Sequence, residues 1–262
     1  VGREVLFRLD KEDKVPGEVV LALQAVHATN DRGLPALRGV SFAVHQGEIL
    51  GIAGVAGNGQ RELAEVVTGL REITDGKLVI NERNLTNCSP LDIINSGVSH
   101  IPADRMGMGA VGDMAVADNI AMKGYRKRPL SAWGMLKRGR IVEFARVMID
   151  NFQIMTPTPQ TNVKFLSGGN IQKTILAREI DACAGLLVAI YPSRGLDVGA
   201  TESVRKRLLE QRSQDRAILL VSEDLDELLT VSDRIAVLYE GQIMGIVPAD
   251  RADVERLGLM MA

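Results

Sequence analysis

Cysteine, histidine and net charge are all scarce in this chain, and each shortage removes a class of function. The two cysteines, Cys88 and Cys183, have no metal-binding or redox spacing and fit a reducing cytoplasm. His27, His45 and His100 are scattered and form no ligand set, so no metal centre is expected from this chain's own residues. With 31 basic against 33 acidic residues the net charge is −2, which leaves no electrostatic case for nucleic acid as the main partner. No apolar run is long enough to span a bilayer and no signal peptide is present, so a membrane-spanning helix is not expected. Internal repeats and low-complexity stretches are also missing.

What is there is ordinary globular material: 46% hydrophobic and 24% charged residues over 262 positions, enough for one domain with a subdomain or for two small domains. Residues 1–18 are charged, carry Pro16-Gly17, and read as a linker. Val19–Leu23 and Ala36–Phe42 predict strands on either side of an Asp31-Arg-Gly33 turn. Glu48–Ala53 is a short apolar run of the buried parallel-strand kind. The glycine loop 54–59 follows it, and then a helical pattern over Gln60–Thr68. Strand, glycine loop, helix is the context a phosphate-binding loop requires. Further on, Asp75–Ile80 is hairpin-like, Pro90–Ser96 a short helix and Gly97–Ile101 a strand. Leu186–Ile190 and Ala217–Val221 are two more buried strands, with helices near 199–213 and 224–231. Arg234–Tyr239 pairs with Gln242–Val247, and Met260–Ala262 reads as a cut or fraying end. Residues 103–165 differ in texture, concentrating methionine, the only Trp (Trp133) and basic runs such as Arg126-Lys-Arg128, which reads as a solvated face.

The stretch Phe165-Leu-Ser-Gly-Gly-Asn170 precedes a helix-forming run to Arg178. Alone it is also compatible with an ordinary helix start capped by Ser167. A helix N-terminus carries free N–H groups and the positive end of the macrodipole, and glycines let a phosphate approach it. Leu166-Ser167-Gly168-Gly169-Asn170 resembles the signature motif of ABC-type ATPases, which presses on ATP held by the opposite domain of a dimer. The resemblance spans residues 19 to about 247. Within that family it resembles the second ATP-binding half of tandem sugar and nucleoside importers, where LSGGN replaces the commoner LSGGQ. The opening Val1–Val5 resembles the tail of a preceding first half. The fold implied is an α/β P-loop NTPase (RecA-like) core with an antiparallel β subdomain and an inserted α-helical subdomain. Its expected parts are a linker at 1–18, the ATPase core at 19–102 and 180–247, the helical subdomain with the signature at 103–179, and a tail at 248–262.

Against that pattern the chain's own ATP site is altered throughout. Gly54-x-x-Gly57-Asn58-Gly59 keeps the spacing of a Walker A loop, but Gln60 and Arg61 stand where Lys and Ser/Thr are expected. An amide for an ammonium forfeits ~1–2 kcal/mol of charge-assisted bonding. Arg61 cannot ligate a metal. Either Arg61 neutralises a phosphate in place of Mg²⁺, or it holds the empty loop against Glu223 or Glu62. Ile190 and Tyr191 occupy the Walker B carboxylate and base positions, and neither can serve. Glu223 replaces the switch histidine. It reads either as a surface carboxylate capping the next helix or, near a γ-phosphate, as a source of roughly 4 kcal/mol of repulsion at ~4 Å. The aromatic residue that stacks on adenine in most relatives is absent between Ala28 and Pro35, and the Q-loop glutamine is replaced by Ile101-Pro-Ala-Asp-Arg105.

The resemblance implies that Asp197, in the D-loop-like Arg194–Ala200, lies across a dimer interface, and it makes Asp104 and Arg105 candidates for touching a permease. No residue is expected to be catalytically competent. The reading is therefore a second nucleotide-binding domain of an importer for nucleosides or simple sugars. ATP would bind weakly at its own loop and be shared at the partner's site, with Mg²⁺ only there. The implied partners are a first ATP-binding half, membrane permease subunits and an extracytoplasmic binding protein, at the cytoplasmic face of the membrane. A purely regulatory nucleotide-binding module and a non-transport ABC ATPase stay open as alternatives.

Overall fold

The computed structural model describes residues 11–261. The stretch Val1–Val5 and most of the expected linker lie outside them. Residues 11–17 have no regular structure but are held to the body, with Lys14 Nζ 2.7 Å from Asp215 and Gly17 N donating to Gln46 O. Two long strands follow, β1 (Val19–Thr29) and β2 (Pro35–His45), then β3 (Ile49–Ala53) and α1 (Gln60–Val67). Next come β4 (Asp75–Ile80), β5 (Arg83–Asn84), α2 (Pro90–Asn95) and β6 (Val98–Ile101). The middle of the chain holds α3 (Val116–Ala121), a hairpin of β7 (Ser131–Ala132) and β8 (Met135–Leu136), α4 (Arg138–Asn151) and α5 (Gly168–Ala182). It closes with β9 (Leu186–Ile190), α6 (Val198–Ser213), β10 (Ala217–Val221), α7 (Leu225–Val231), β11 (Arg234–Tyr239), β12 (Gln242–Pro248) and α8 (Val254–Met260).

The central sheet runs β12-β11-β3-β10-β9-β6, parallel except for β12, and β2-β1-β4-β5 form a second, antiparallel sheet. β3, β9 and β10 are buried along their whole length, which is why they read as unbroken apolar runs rather than alternating ones. Successive side chains still go to opposite faces. Ile49, Leu187, Ala189, Ile218 and Leu220 pack toward α5, α6 and α7, whereas Leu50, Ile52, Leu186, Val188 and Leu219 pack toward the second sheet and α1. Burying these residues is the main favourable term holding the two layers together.

Ahead of the expected fraying end lies α8, with Asp253 capping Arg256 N and Leu257 fully buried; Met260 closes this helix and Ala262 lies outside the described residues. Local sequence hid it because Gly258 interrupts the helical pattern, and the burial of Leu257 comes from packing onto the core cluster.

Polar groups also tie the layers. The Glu179 carboxylate, 1% exposed, accepts from His100 N at 3.0 Å and from Arg178 Nε at 2.7 Å, and it also takes Lys123 Nζ. Arg178 Nη2 donates to Gly109 O, so β6, α5 and the Arg105–Gly109 turn share one buried knot. Burial, opposed by Glu179 and reinforced by Lys123 and Arg178, lowers the pKa of His100 to about 4. The folded state thus holds this imidazole neutral while the unfolded chain protonates it near its ordinary 6.5. The stability it contributes is complete above about pH 6.5 and is lost as the pH falls toward 4, by up to ~3 kcal/mol. Urea unfolding of the chain and of His100→Leu across that window checks this: the wild-type acid limb is the steeper, and equal slopes would refute the assignment.

Candidate functional site

Ile52, Val221 and Ile190 are in register through β10, so the segments leaving β3, β10 and β9 emerge at one edge of the parallel sheet. Ligands of open α/β sheets bind at that carboxyl edge. There the structure gathers the loop Gly54–Gly59 at the start of α1, Tyr191 after β9, and Ser222-Glu223 after β10. A hollow of about 390 Å³ lies between the last two, lined by Tyr191, Arg194, Thr201, Ser222 and Glu223 among others.

The glycine loop is closed on itself. Gln60, 2% exposed, donates from Nε2 to Val55 O at 2.9 Å and accepts from Asn58 N at 3.1 Å. Asn58 Nδ2 donates to the same carbonyl, and Asn58 Oδ1 accepts from Glu240 N at 2.9 Å. A Cβ at Gly54 would lie 2.6 Å from Gln60 Nε2, so that glycine makes room for the inturned amide. Gly59, at φ +105°, lets the loop pass against Ala36 O before α1 begins. Gln60, which stands where a lysine is expected, has its amide spent inside the loop. Buried amide groups need partners, and the nearest are the loop's own backbone.

The expectation for Arg61 is corrected. It pairs with Glu65 at 2.7 Å, one turn along α1, and with Asp31 at 3.2 Å, rather than with Glu62 or Glu223. Asp31 and Glu65 also hold Arg71, whose Nη1 donates to Thr29 O. The turn after β1, which lacks an aromatic residue, is thus an ion-pair cluster that fastens α1. Arg71 first and Arg61 next hold the Asp31 carboxyl below its ordinary range.

At Ile190 and Tyr191, the two positions where carboxylates are expected, the edge offers none. Ile190 is 5% exposed in the apolar core. Burial first, and the Glu223 carboxylate second, push the Tyr191 phenol above its ordinary value, so it stays neutral near pH 7. Arg61 and Ile190 carry no side-chain oxygen that could ligate Mg²⁺. Glu223 is exposed and does not cap α7; Asp224 does, accepting from Asp226 N and Glu227 N. The residue that sequence reading passed over is Glu227. It is fully buried and accepts from both Ser193 Oγ and Ser222 Oγ at 2.6 Å, clamping together the segments that follow β9 and β10. Its position on the inner face of α7, one turn past an Asp cap, was the available signal.

A second cluster forms at the start of α5. Ser167 occupies the cap position, but its hydroxyl makes no bond to the helix backbone and instead accepts from Asn170 Nδ2 at 2.9 Å. Asn170 Oδ1 is held by Met155 N, so this side chain is braced at both ends. Ser167 and Gly168 are exposed, and Leu166 is half-buried. Nothing approaches a Cβ built at Gly168 closer than 3.6 Å, and at Gly169 the nearest atom is Ala200 Cβ at 3.7 Å. Asp197 caps α6 through Ala200 N, which places the two helix starts side by side. Phe165 and Val198 flank them, 74% and 73% exposed.

Arg105 turns inward to the Arg194 carbonyl, and Asp104 accepts from Met106 N and Gly107 N. Both of these permease candidates are thus engaged within the chain, shaping a turn that leaves Met106 and Met108 exposed. Among the described residues no group of His, Cys, Asp and Glu is arranged to hold a metal, and no helix is long and apolar enough to cross a membrane.

Residues 37–189 match the family described as ABC transporter. The chain belongs to that family. It is 47% identical over 263 residues to the glucose import ATP-binding protein TsgD13 of Haloferax volcanii, covering 100% of this chain and 48% of the relative. It is 45% identical to the guanosine import ATP-binding protein NupO of Bacillus subtilis, covering 100% and 51%. To the ribose import ATP-binding protein RbsA 1 of Rubrobacter xylanophilus it is 34% identical, covering 100% and 52%. The chain spans about half the length of the curated relatives it matches. Among solved structures, a nucleotide-free ATP-binding cassette from an ABC transporter superposes with a TM-score of 0.75 at 20% identity, over 88% of this chain and 92% of that one. A dimeric bacterial ABC transporter cassette gives 0.76 at 16% identity, over 89% and 100%. The fold is that of an ABC ATPase cassette.

Proposed function

We propose that this ABC domain is the second ATP-binding half of a tandem importer ATPase, with a degenerate site of its own and an intact signature offered to ATP held by a first half. The observation that carries the reading is the contrast between its two clusters. The loop that would hold phosphate, Gly54–Arg61, spends its side-chain donors on itself and its ion pairs on Asp31 and Glu65. The signature, Leu166–Asn170, keeps an exposed hydroxyl and two unobstructed glycines at a helix N-terminus. Ser167 Oγ and the first N–H groups of α5 would donate to phosphate oxygens of the partner's ATP, whose Mg²⁺ the partner holds. Asp197 lies beside them, and the bare Phe165 and Val198 supply apolar surface for a facing domain to cover.

The span of about half of each relative supports a tandem arrangement, and the relatives' names point to a nucleoside or simple sugar as cargo. A permease and an extracytoplasmic binding protein complete such a system at the cytoplasmic face of the membrane. The permease would meet the turn that Asp104 and Arg105 shape rather than their charged groups. As expected parts, 19–102 with 180–247 form the ATPase core and 103–179 the helical subdomain.

Calorimetric titration of ATP and ADP into the chain, with and without Mg²⁺, tests the degenerate site. Binding at about millimolar strength or weaker, indifferent to Mg²⁺, is the expected result. Micromolar binding that needs Mg²⁺ would show that the loop opens and finds ligands elsewhere, and the reading would fall.

A further inference from the structure

Between Tyr125 and Arg140 the sequence Tyr-Arg-Lys-Arg-Pro-Leu-Ser-Ala-Trp-Gly-Met-Leu-Lys-Arg-Gly-Arg carries six basic residues and no acidic one, in a chain whose overall charge is −2. The structure folds it into the β7–β8 hairpin, with Ser131 opposite Leu136 and Ala132 opposite Met135. Trp133 and Gly134 make the two-residue turn, at φ +54° and +76°. That backbone suits the right-handed twist of a hairpin but is uncommon for a bulky residue at its first position. The turn thrusts the chain's only Trp into solvent at 91% exposure, beside Met135 at 70% and Leu136 at 46%.

The base of the hairpin is firm. Lys137 N donates to Leu130 O, Ser131 N to Lys127 O, and Leu130 is buried. Around a shallow hollow of about 550 Å³, Tyr125, Arg126 and Arg128 face Trp133 and Leu136. Arg138 and Arg140 are neutralised by Asp118 and Glu143, but Arg126, Lys127, Arg128 and Lys137 have no ion pair among the described residues. Arg126 lies 5.3 Å over the Tyr125 ring and donates from Nε to its hydroxyl oxygen, so this aromatic face is already covered.

We propose that this hairpin is a membrane-surface anchor: Trp133, Met135 and Leu136 enter the headgroup region of an anionic phospholipid leaflet while Arg126, Lys127, Arg128 and Lys137 meet the lipid phosphates. Charge complementarity supplies the attraction, and the tip supplies what makes it stick. Trp partitions to the bilayer interface because its ring is amphipathic, and cations close to an apolar tip bind anionic lipid cooperatively with it. Nucleic acid fits less well. Its single-strand sites use stacked rings along a basic groove, whereas here one ring is covered by Arg126, and a thioether and a leucine form the rest of the tip. The proposal stands apart from the nucleotide reading, because no residue of either cluster at the sheet edge or at α5 takes part.

Trp133 is its own probe. Its emission is followed in the 262-residue chain as vesicles are added, either phosphatidylcholine alone or phosphatidylcholine mixed with phosphatidylglycerol, with brominated lipid as a quencher. The expected result is a shift to shorter wavelength and quenching only with phosphatidylglycerol, reversed by salt. In vesicle sedimentation, Lys127→Glu with Arg128→Glu weakens binding by about tenfold or more, and so does Met135→Ser with Trp133→Ser. Thermal unfolding of these exposed-site variants should match the parent and so separates lost binding from lost fold. An unchanged emission with phosphatidylglycerol vesicles at low salt overturns the proposal. So does an equal response to neutral vesicles, which would mean unspecific adhesion. A response to single-stranded oligonucleotide in the absence of any to vesicles would assign the patch to nucleic acid instead.

Discussion

On the proposed reading of a tandem ATPase, replacing Gly168 by Asp is expected to lower the ATP hydrolysis of the two-half protein by about 10²–10³-fold, the cost of removing one well-placed group that stabilises developing phosphate charge. The geometry makes this substitution informative. Gly168 is exposed at the first position of α5, and a Cβ there meets only the far end of Arg105, 3.6 Å away. An acidic residue in the first turn of a helix is favourable for the isolated domain. The change therefore leaves folding intact and sets a carboxylate against the phosphates of a partner's ATP, where two like charges repel strongly. Measuring steady-state ATP hydrolysis by the variant, beside a thermal melt of the same preparation, separates the two effects. A companion change, Gln60→Ala, empties the other cluster and is expected to leave the rate within about threefold if, as proposed, that loop is not the competent site. If the two variants exchange places, with Gln60→Ala inactive and Gly168→Asp active, the division of labour is the reverse of the one proposed.

The outline of the fold was readable because its central strands are short apolar runs set between turns, and that pattern survives any choice of neighbour. β3, β9 and β10 are found where their runs predict. The first two strands are longer than their apolar cores suggested, because pairing between β1 and β2 carries the ladder past its bulges. The site was less readable, for physical reasons that differ residue by residue. The partner of Arg61 at Glu65 was visible in principle as an i,i+4 pair of opposite charge, whereas Asp31 is brought in by a turn thirty positions away. Gln60 looked like a poor lysine because a sequence shows what a side chain can donate and not which acceptor is nearest. The choice between Glu223 and Asp224 as cap of α7 is a matter of one position, the distance over which helix ends are hardest to place. Glu227 escaped notice because an acidic residue in a first turn reads as surface, and only the convergence of Ser193 and Ser222 gives it a buried role.

A single carboxylate at the opposite edge of the central sheet should matter more to stability than any of these. Asp233 accepts Arg212 Nε and Nη2, each at 2.8 Å, and its Oδ2 also takes Ile49 N at 2.8 Å. Arg212 is 2% exposed, with its remaining Nη1 on Glu12 O. The clamp joins the end of α6 to the start of β3 and β11, so it fixes where the strand that leads into the glycine loop begins. Asp233→Ala leaves a guanidinium buried without its counter-charge and a backbone N–H without an acceptor, and is expected to cost about 3–5 kcal/mol. That is a large share of the ~5–15 kcal/mol that holds a domain folded. Adding Arg212→Met to the same chain removes the stranded charge and should recover a substantial part of the loss, because a buried pair costs nearly as much to desolvate as it returns. Urea midpoints of the two single variants and the double variant measure the coupling directly. A double variant no more stable than Asp233→Ala would mean that Arg212 rehydrates once released. The destabilisation would then come from the orphaned Ile49 N–H and the loosened β3, and not from charge.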